Sequence, residues 1–216
     1  MSTLGLSKPR LRGWLHAGAL PAAVIAGFVL VAFGPTLQAR IGAAIYAVTS
    51  GLLFGVSATY HRGTLSPRLA EAFRRIDHAN IYLIIAGTYT PFALLALDGV
   101  ARVTLLAVIW TGAIAGVLFR VVWMSAPRWL YTALYILLGW TAIFVVPQLL
   151  HGAGVAAVIL VLIGGVLYSA GGVIYGLRRP DPSPRWFGYH EVFHSFTIAA
   201  YVVQYIAVSL VVYSAA

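Results

Sequence analysis

Long apolar stretches, separated by short segments that hold most of the charged residues, follow one another along nearly the whole chain. An α-helix needs about 20 mostly apolar residues to cross the hydrocarbon core of a bilayer. Seven stretches approach or exceed this length: Trp14–Phe33, Ile41–Tyr60, Ile76–Leu97, Val103–Trp123, Leu130–Leu150, Val155–Tyr175 and Tyr189–Val212. The pattern therefore predicts an all-α, polytopic integral membrane protein, a bundle of seven transmembrane helices.

The composition supports this prediction. Hydrophobic residues make up 61% of the 216 residues and charged residues only 9%, whereas soluble domains contain roughly 25% charged residues. The segments between the apolar stretches are too short for an extramembrane domain. We therefore expect residues 1–216 to form a single transmembrane domain.

The basic residues are divided unequally between the two sides of the predicted bundle. The formal net charge is +9, but these residues lie in separate short segments, so we interpret them as topology signals and expect no nucleic-acid partner. One side holds twelve of them: Lys8, Arg10, Arg12, Arg62, Arg68, Arg74, Arg75, Arg120, Arg128, Arg178, Arg179 and Arg185; the other holds Arg40 and Arg102. Because cytoplasmic loops carry the excess of Lys and Arg, we expect a multi-pass cell membrane protein with a cytoplasmic N-terminus, an uncleaved first helix and an extracytoplasmic C-terminus.

Three histidines form a candidate metal site. His190 and His194 open the last apolar stretch, and residues four apart lie on one face of a helix. His61 ends the second stretch, on the same predicted side of the membrane. Three imidazoles leave a fourth tetrahedral position open on zinc, as in catalytic zinc sites. The chain has no cysteine, so thiolate ligands are excluded. We predict that His61, His190 and His194 bind Zn²⁺.

A carboxylate and a hydroxyl are expected near this site. Asp77 opens the third stretch at the same depth, and Ser57 lies four residues before His61. Asp77 is the candidate catalytic base for a zinc-activated water, and Ser57 can orient that water or stabilise an oxyanion. Two alternatives stay open. Asp77 can pair with Arg74 or Arg75, and the Ser57 hydroxyl can bond to a carbonyl of its own helix.

The remaining polar residues have competing interpretations. Residues 190–194 also match the H-E-x-x-H motif of zinc proteases, in which the glutamate, here Glu191, is the general base. Against a protease, no acidic residue follows that could be the third ligand. We interpret His16, His78 and His151 as residues of the membrane interface, because none has a suitable partner four positions away.

Taken together, four segments resemble the hemolysin III family of the progestin and adipoQ receptor (PAQR) superfamily. They are Lys8–His16, Ser57–Arg62, the pair Asp77–Tyr82 and Ala86–Phe92, and His190–Phe196. The resemblance implies a seven-helix bundle with an intramembrane zinc held by His61, His190 and His194, with Asp77 beside the zinc-bound water and Ser57 nearby. Many members of this family carry a histidine where this chain has Gln204.

The resemblance and the residues together suggest a function. The leading hypothesis is a zinc-dependent hydrolase of lipid amides, similar to ceramidases, that acts in membrane lipid homeostasis and takes its substrate from the bilayer. The first alternative is a non-enzymatic membrane sensor or receptor-like protein with a structural zinc. The second is an intramembrane zinc protease. A haemolytic pore would need an aqueous path, and no long amphipathic face is present to line one.

Overall fold

The computed structural model describes residues 9–215. Residues 1–8, which include Lys8, and Ala216 lie outside the described part of the chain. The described residues form an all-helical fold. The helices are α1 (Trp14–Phe33), α2 (Leu37–Arg62), α3 (Pro67–Ala96), α4 (Gly99–Val122), α5 (Arg128–Gly139), α6 (Val146–Leu177) and α7 (Tyr189–Tyr213), with a short 3₁₀ helix (Thr141–Val145) between α5 and α6.

Six helical stretches within residues 9–215 are long and apolar enough to cross a membrane, not the seven separate ones that we predicted. The predicted fifth and sixth helices instead form one stretch of 50 residues, Arg128–Leu177. The predicted loop between them, residues 151–154, stays within α6. Residues 151–153 stay helical, since they contain no proline, the residue that most strongly breaks a helix, and the helical conformation is interrupted only at Gly154.

The 50-residue stretch is nevertheless bent back on itself. Gly154, inside α6, has φ 80° and ψ 163°, which no helical residue adopts. On either side of it, Trp140 Nε1 donates to Ser169 Oγ at 2.9 Å, and the Thr132 side chain would lie 3.7 Å from a Cβ placed on Gly176. These contacting positions are almost equally distant in sequence from Gly154, as in an antiparallel hairpin.

The start of α3 also differs from the prediction, because the helix begins at Pro67 and not near Ile76. Ser66 precedes the helix and Pro67 occupies its first turn, where the missing N–H of proline costs nothing. Glu71 then pairs with Arg74 at 2.8 Å and with Arg75 at 3.1 Å. Ion pairs three and four residues apart stabilise a helix surface, so this polar segment is helical although it lacks the apolar pattern.

The helices pack into a bundle in which α7 contacts four other helices. Consecutive helices α1 to α4 contact one another in pairs, and α7 packs against α6 and also touches α1, α2 and α3. Many large apolar side chains stay exposed on the outer surface, for example Phe28, Val100 and Phe144. Such a surface is stable against lipid but not in water, which agrees with a membrane protein.

Candidate metal centre

Residues of α2, α3 and α7 meet at one end of the bundle. His61 is in the last turn of α2, Asp77 is in the third turn of α3, and His190 is in the first turn of α7. Because α7 contacts both α2 and α3, residues that are 129 positions apart in sequence become neighbours. The site is therefore built by the packing of helices and not by a continuous segment.

The structure brings the three predicted ligands together. His61, His190 and His194 each present one ring nitrogen, and these three atoms lie within 4.8 Å of one another. The Nε2 atoms of His61 and His190 are 3.2 Å apart. The ring centroids of His190 and His194 are 4.5 Å apart, as expected for residues four apart on one face of a helix.

These positions fit a tetrahedral metal ion. Zinc–nitrogen bonds of 2.0–2.1 Å place two tetrahedral ligands about 3.3 Å apart. The His61–His190 pair already has this spacing, and the His194 ligand atom lies within 4.8 Å of both. Imidazole nitrogen is a preferred ligand of zinc. The donor set therefore suits Zn²⁺, with one coordination position left open, although metal binding itself stays a prediction.

Asp77 and Ser57 lie beside the three histidines. Asp77 Oδ2 is 3.9 Å from His61 Nε2, and Ser57 lines the same cavity as Asp77, with its side chain near the carboxyl group. Arg74 and Arg75 both pair with Glu71, and no ion pair between them and Asp77 is found within residues 9–215. Thus the arginine alternative for Asp77 is not what the structure shows, and Ser57 faces the carboxyl group.

His16 is part of this site, which the sequence did not predict. We expected a residue of the membrane interface, but His16 is only 2% exposed. Its ring stacks on that of His194 with centroids 3.7 Å apart and an angle of 6°. Neither of its ring nitrogens has a hydrogen-bond partner among the described residues. A signal was present in the sequence, since His16 lies near the same end of the first apolar stretch at which the other histidines occur.

The two remaining histidines, His78 and His151, differ in burial and in their contacts. His78 is partly buried and lines the same cavity as the site. Its Nδ1 donates a hydrogen bond to Arg74 O at 2.7 Å, and its Nε2 lies 3.3 Å from the Tyr175 hydroxyl. His151 is exposed and lies near Gly154, in agreement with an interface position. Neither belongs to the group of three ring nitrogens that can hold one ion.

Glu191 has a structural role. It is 0% exposed, one carboxylate oxygen pairs with Arg12, and the other accepts a hydrogen bond from Gly188 N at 2.8 Å. This second contact caps the first turn of α7. Both oxygens of Glu191 are therefore engaged away from the histidines, which argues against its predicted alternative role as the base of an H-E-x-x-H protease.

The segment before α1 covers the site from outside the bundle. Arg10 N and Leu11 N donate to Arg185 O and Trp186 O at 3.0 and 3.1 Å, in the loop that leads into α7. Gly13 follows with φ +80°, and a Cβ there would lie 2.5 Å from His61 Cβ. Glycine is needed at this position both for the backbone conformation and for the close approach to His61.

A narrow cavity extends from the histidines into the bundle. It has a volume of about 130 Å³ and is lined mainly by apolar side chains of α3, α5, α6 and α7. Its α7 residues run from His190 to Gln204, which corresponds to about 20 Å along the helix. The length of this lining and its apolar character suit an extended apolar chain whose polar end lies at His190 and His194.

Comparison with known proteins shows which family this chain resembles. A family model described as haemolysin-III related matches residues 4–205, a range that includes all the site residues. The chain is 32% identical over 173 residues to "Hemolysin-3" of Bacillus cereus, covering 80% of this chain and 76% of that protein. It is 32% identical over 164 residues to "Hemolysin-3 homolog" of Bacillus subtilis strain 168, covering 76% of this chain and 74% of that protein.

Proposed function

The chain belongs to the haemolysin-III related family of membrane proteins, and we propose that it is a zinc-dependent hydrolase of membrane lipid amides. The observation that carries this proposal is the set of three ring nitrogens within 4.8 Å, placed at one end of an apolar cavity. A ceramidase-like hydrolase in the cell membrane would act in lipid homeostasis, with membrane lipids as its substrates.

The residues divide into ligands and catalytic groups. His61, His190 and His194 would hold the zinc ion. Zinc bound by three imidazoles supplies a Lewis acid that activates water for attack on a carbonyl group. Asp77 is close enough to the same point to accept a proton from the attacking water, since it lies 3.9 Å from His61 Nε2. Ser57, whose side chain lies near the Asp77 carboxyl, would orient that group or the water.

The cavity determines which substrates reach these residues. An acyl chain is soluble in the bilayer, and its transfer from lipid into an apolar cavity at the same depth costs little free energy. Its carbonyl group would then lie at the histidine end, away from bulk water. The covering segment before α1 makes direct entry from the aqueous side less favourable than lateral entry from lipid, because Gly13 packs against His61.

The proposed topology has seven crossings. The 50-residue stretch is long enough to cross twice, and the antiparallel contacts about Gly154 support a turn there. With a cytoplasmic N-terminus, the histidine end faces the cytoplasm and the C-terminus lies outside, in accord with the excess of basic residues on the histidine side.

Cysteine labelling tests this topology directly, because the chain has no cysteine of its own. We expect a Ser214→Cys variant to react with a membrane-impermeant maleimide in intact cells. A Thr64→Cys variant, in the exposed link between α2 and α3, should react only after the membrane is permeabilised. Labelling of both residues from the same side would show an even number of crossings between them and would exclude the seven-crossing arrangement.

Hydrolysis is tested with purified, zinc-loaded protein in vesicles that contain ceramide or another N-acyl lipid. We expect release of free fatty acid, detected by mass spectrometry, that stops when a chelator removes zinc and returns when zinc is added. If every acyl-amide lipid stays intact while zinc removal lowers the unfolding temperature, the non-enzymatic alternative with a structural zinc is the better account.

A further inference from the structure

The end of the cavity remote from the histidines contains a polar side chain. Gln204 lies ten residues after His194 on α7, about 15 Å deeper along the helix. It is 5% exposed and lines the cavity together with Trp140, Val161 and Tyr168. A buried amide at this depth loses its contacts with water, so its hydrogen bonds must come from the protein or from a ligand.

Only one half of the Gln204 amide is satisfied by the protein. Nε2 donates to Val161 O at 3.1 Å, and it packs against Gly164, where a Cβ would clash with it. Because a backbone carbonyl can only accept, this bond fixes the orientation of the amide. Oε1 is then the free acceptor, and it has no hydrogen-bond partner among the described residues.

Three donors that line the cavity are already used. Trp140 Nε1 donates to Ser169 Oγ at 2.9 Å, and the Ser169 hydroxyl donates to Gly165 O at 2.7 Å. The Tyr89 hydroxyl, which also lines the cavity, donates to Gly139 O at 2.6 Å. Tyr168 also lines the cavity, but no donor of the described residues is bonded to Gln204 Oε1. A group that occupies the cavity can therefore supply its partner.

We infer that the cavity binds an acyl chain that carries a hydroxyl group near its middle, and that this hydroxyl donates a hydrogen bond to Gln204 Oε1. The inference rests on the proposed function, because the carbonyl end of the chain is placed at His61, His190 and His194. The ligand group must be a donor, since Oε1 can only accept. It must also be uncharged, because a charge is costly at this depth in a membrane.

Binding of free fatty acids tests this inference without reference to hydrolysis. Zinc-loaded protein is titrated with stearic acid and with stearic acid hydroxylated at mid-chain, each in competition with a fluorescent fatty acid. We expect the hydroxylated acid to bind about three- to tenfold more tightly, the range that one net hydrogen bond supplies. Moving the hydroxyl next to the carboxyl group should abolish the preference.

Two substitutions locate the effect. Gln204→Met keeps the side-chain length and removes the acceptor, so it should make the two acids bind equally. Thr197→Val is the matched control: Thr197 lines the same cavity, but its hydroxyl already bonds to Phe193 O at 3.0 Å, so the preference should persist. The hydroxyl-position series gives the same information on the unsubstituted protein if Gln204→Met does not fold.

The outcomes separate this inference from the proposed function. If both acids bind the unsubstituted protein with equal affinity, or if the preference survives Gln204→Met, the role of Gln204 is wrong while the acyl-chain cavity stands. If neither acid binds, the acyl-chain substrate of the proposed function fails as well.

Discussion

Replacing Asp77 by asparagine should lower the rate of lipid amide hydrolysis by about 10²–10⁴-fold, the usual contribution of a general acid–base group. The substitution keeps the shape of the side chain, but it removes the carboxylate that we propose to accept the proton. Asp77 lies near His61 but is not among the three ligands. The zinc content should therefore stay at the level of the unsubstituted protein.

Asp98→Asn is a matched control for this experiment. Asp98 is an exposed carboxylate that precedes α4 and pairs with Arg102 at 2.8 Å, far along the bundle from the histidines. We expect turnover to be unchanged in this variant, while both variants are assayed for fatty acid release and for bound zinc. An Asp77→Asn protein that hydrolyses lipid as fast as the Asp98→Asn protein would remove Asp77 from the mechanism.

The second large effect is expected at the pair between Arg12 and Glu191. Glu191 is 0% exposed, and Arg12 is its only charged partner among residues 9–215. Removing one member of a buried ion pair leaves an uncompensated charge and typically costs about 3–5 kcal/mol. Arg12→Leu should therefore lower the free energy of unfolding by about this amount, measured by denaturant titration in detergent micelles. Zinc affinity should fall as well, because Glu191 follows His190 directly.

Two further variants distinguish charge burial from a general effect of the covering segment. Arg10→Leu removes only a guanidinium 4.5 Å from the Trp186 ring, so its cost should be about 0.5–1 kcal/mol. The double variant Arg12→Leu with Glu191→Leu should be more stable than Arg12→Leu alone, since no unpaired charge stays buried. A double variant less stable than Arg12→Leu would mean that the capping bond of Glu191 to Gly188 outweighs the ion pair.

The pattern of apolar residues predicted the helical fold well where helix ends coincide with changes in composition. The first predicted stretch, Trp14–Phe33, matches α1 at both ends, and α7 differs by one residue. The prediction is wrong at the start of α3, where paired charges extend a helix without apolar periodicity. It is also wrong for the 50-residue stretch, because the sequence from His151 to Gly154 does not show whether a helix ends or only bends.

Family membership could be predicted from four short segments, and the haemolysin-III match confirms it. The grouping of His61, His190 and His194 followed from one four-residue spacing and one shared depth. The position of His16 did not follow, because a lone histidine has no spacing from which to infer its neighbours. The contacts of Glu191 could not be predicted from the sequence either, because Arg12 contacts it only when the segment before α1 packs against the loop that precedes α7.

Metal analysis of the purified protein tests the central claim most directly. We expect about one zinc ion per chain, and a loss of most of it in each of the variants His61→Ala, His190→Ala and His194→Ala. His16→Phe, which removes ring nitrogens next to His194 but outside the group of three, should retain zinc, as should His151→Ala. A protein without stoichiometric zinc, or one whose zinc survives all three substitutions, would contradict the account.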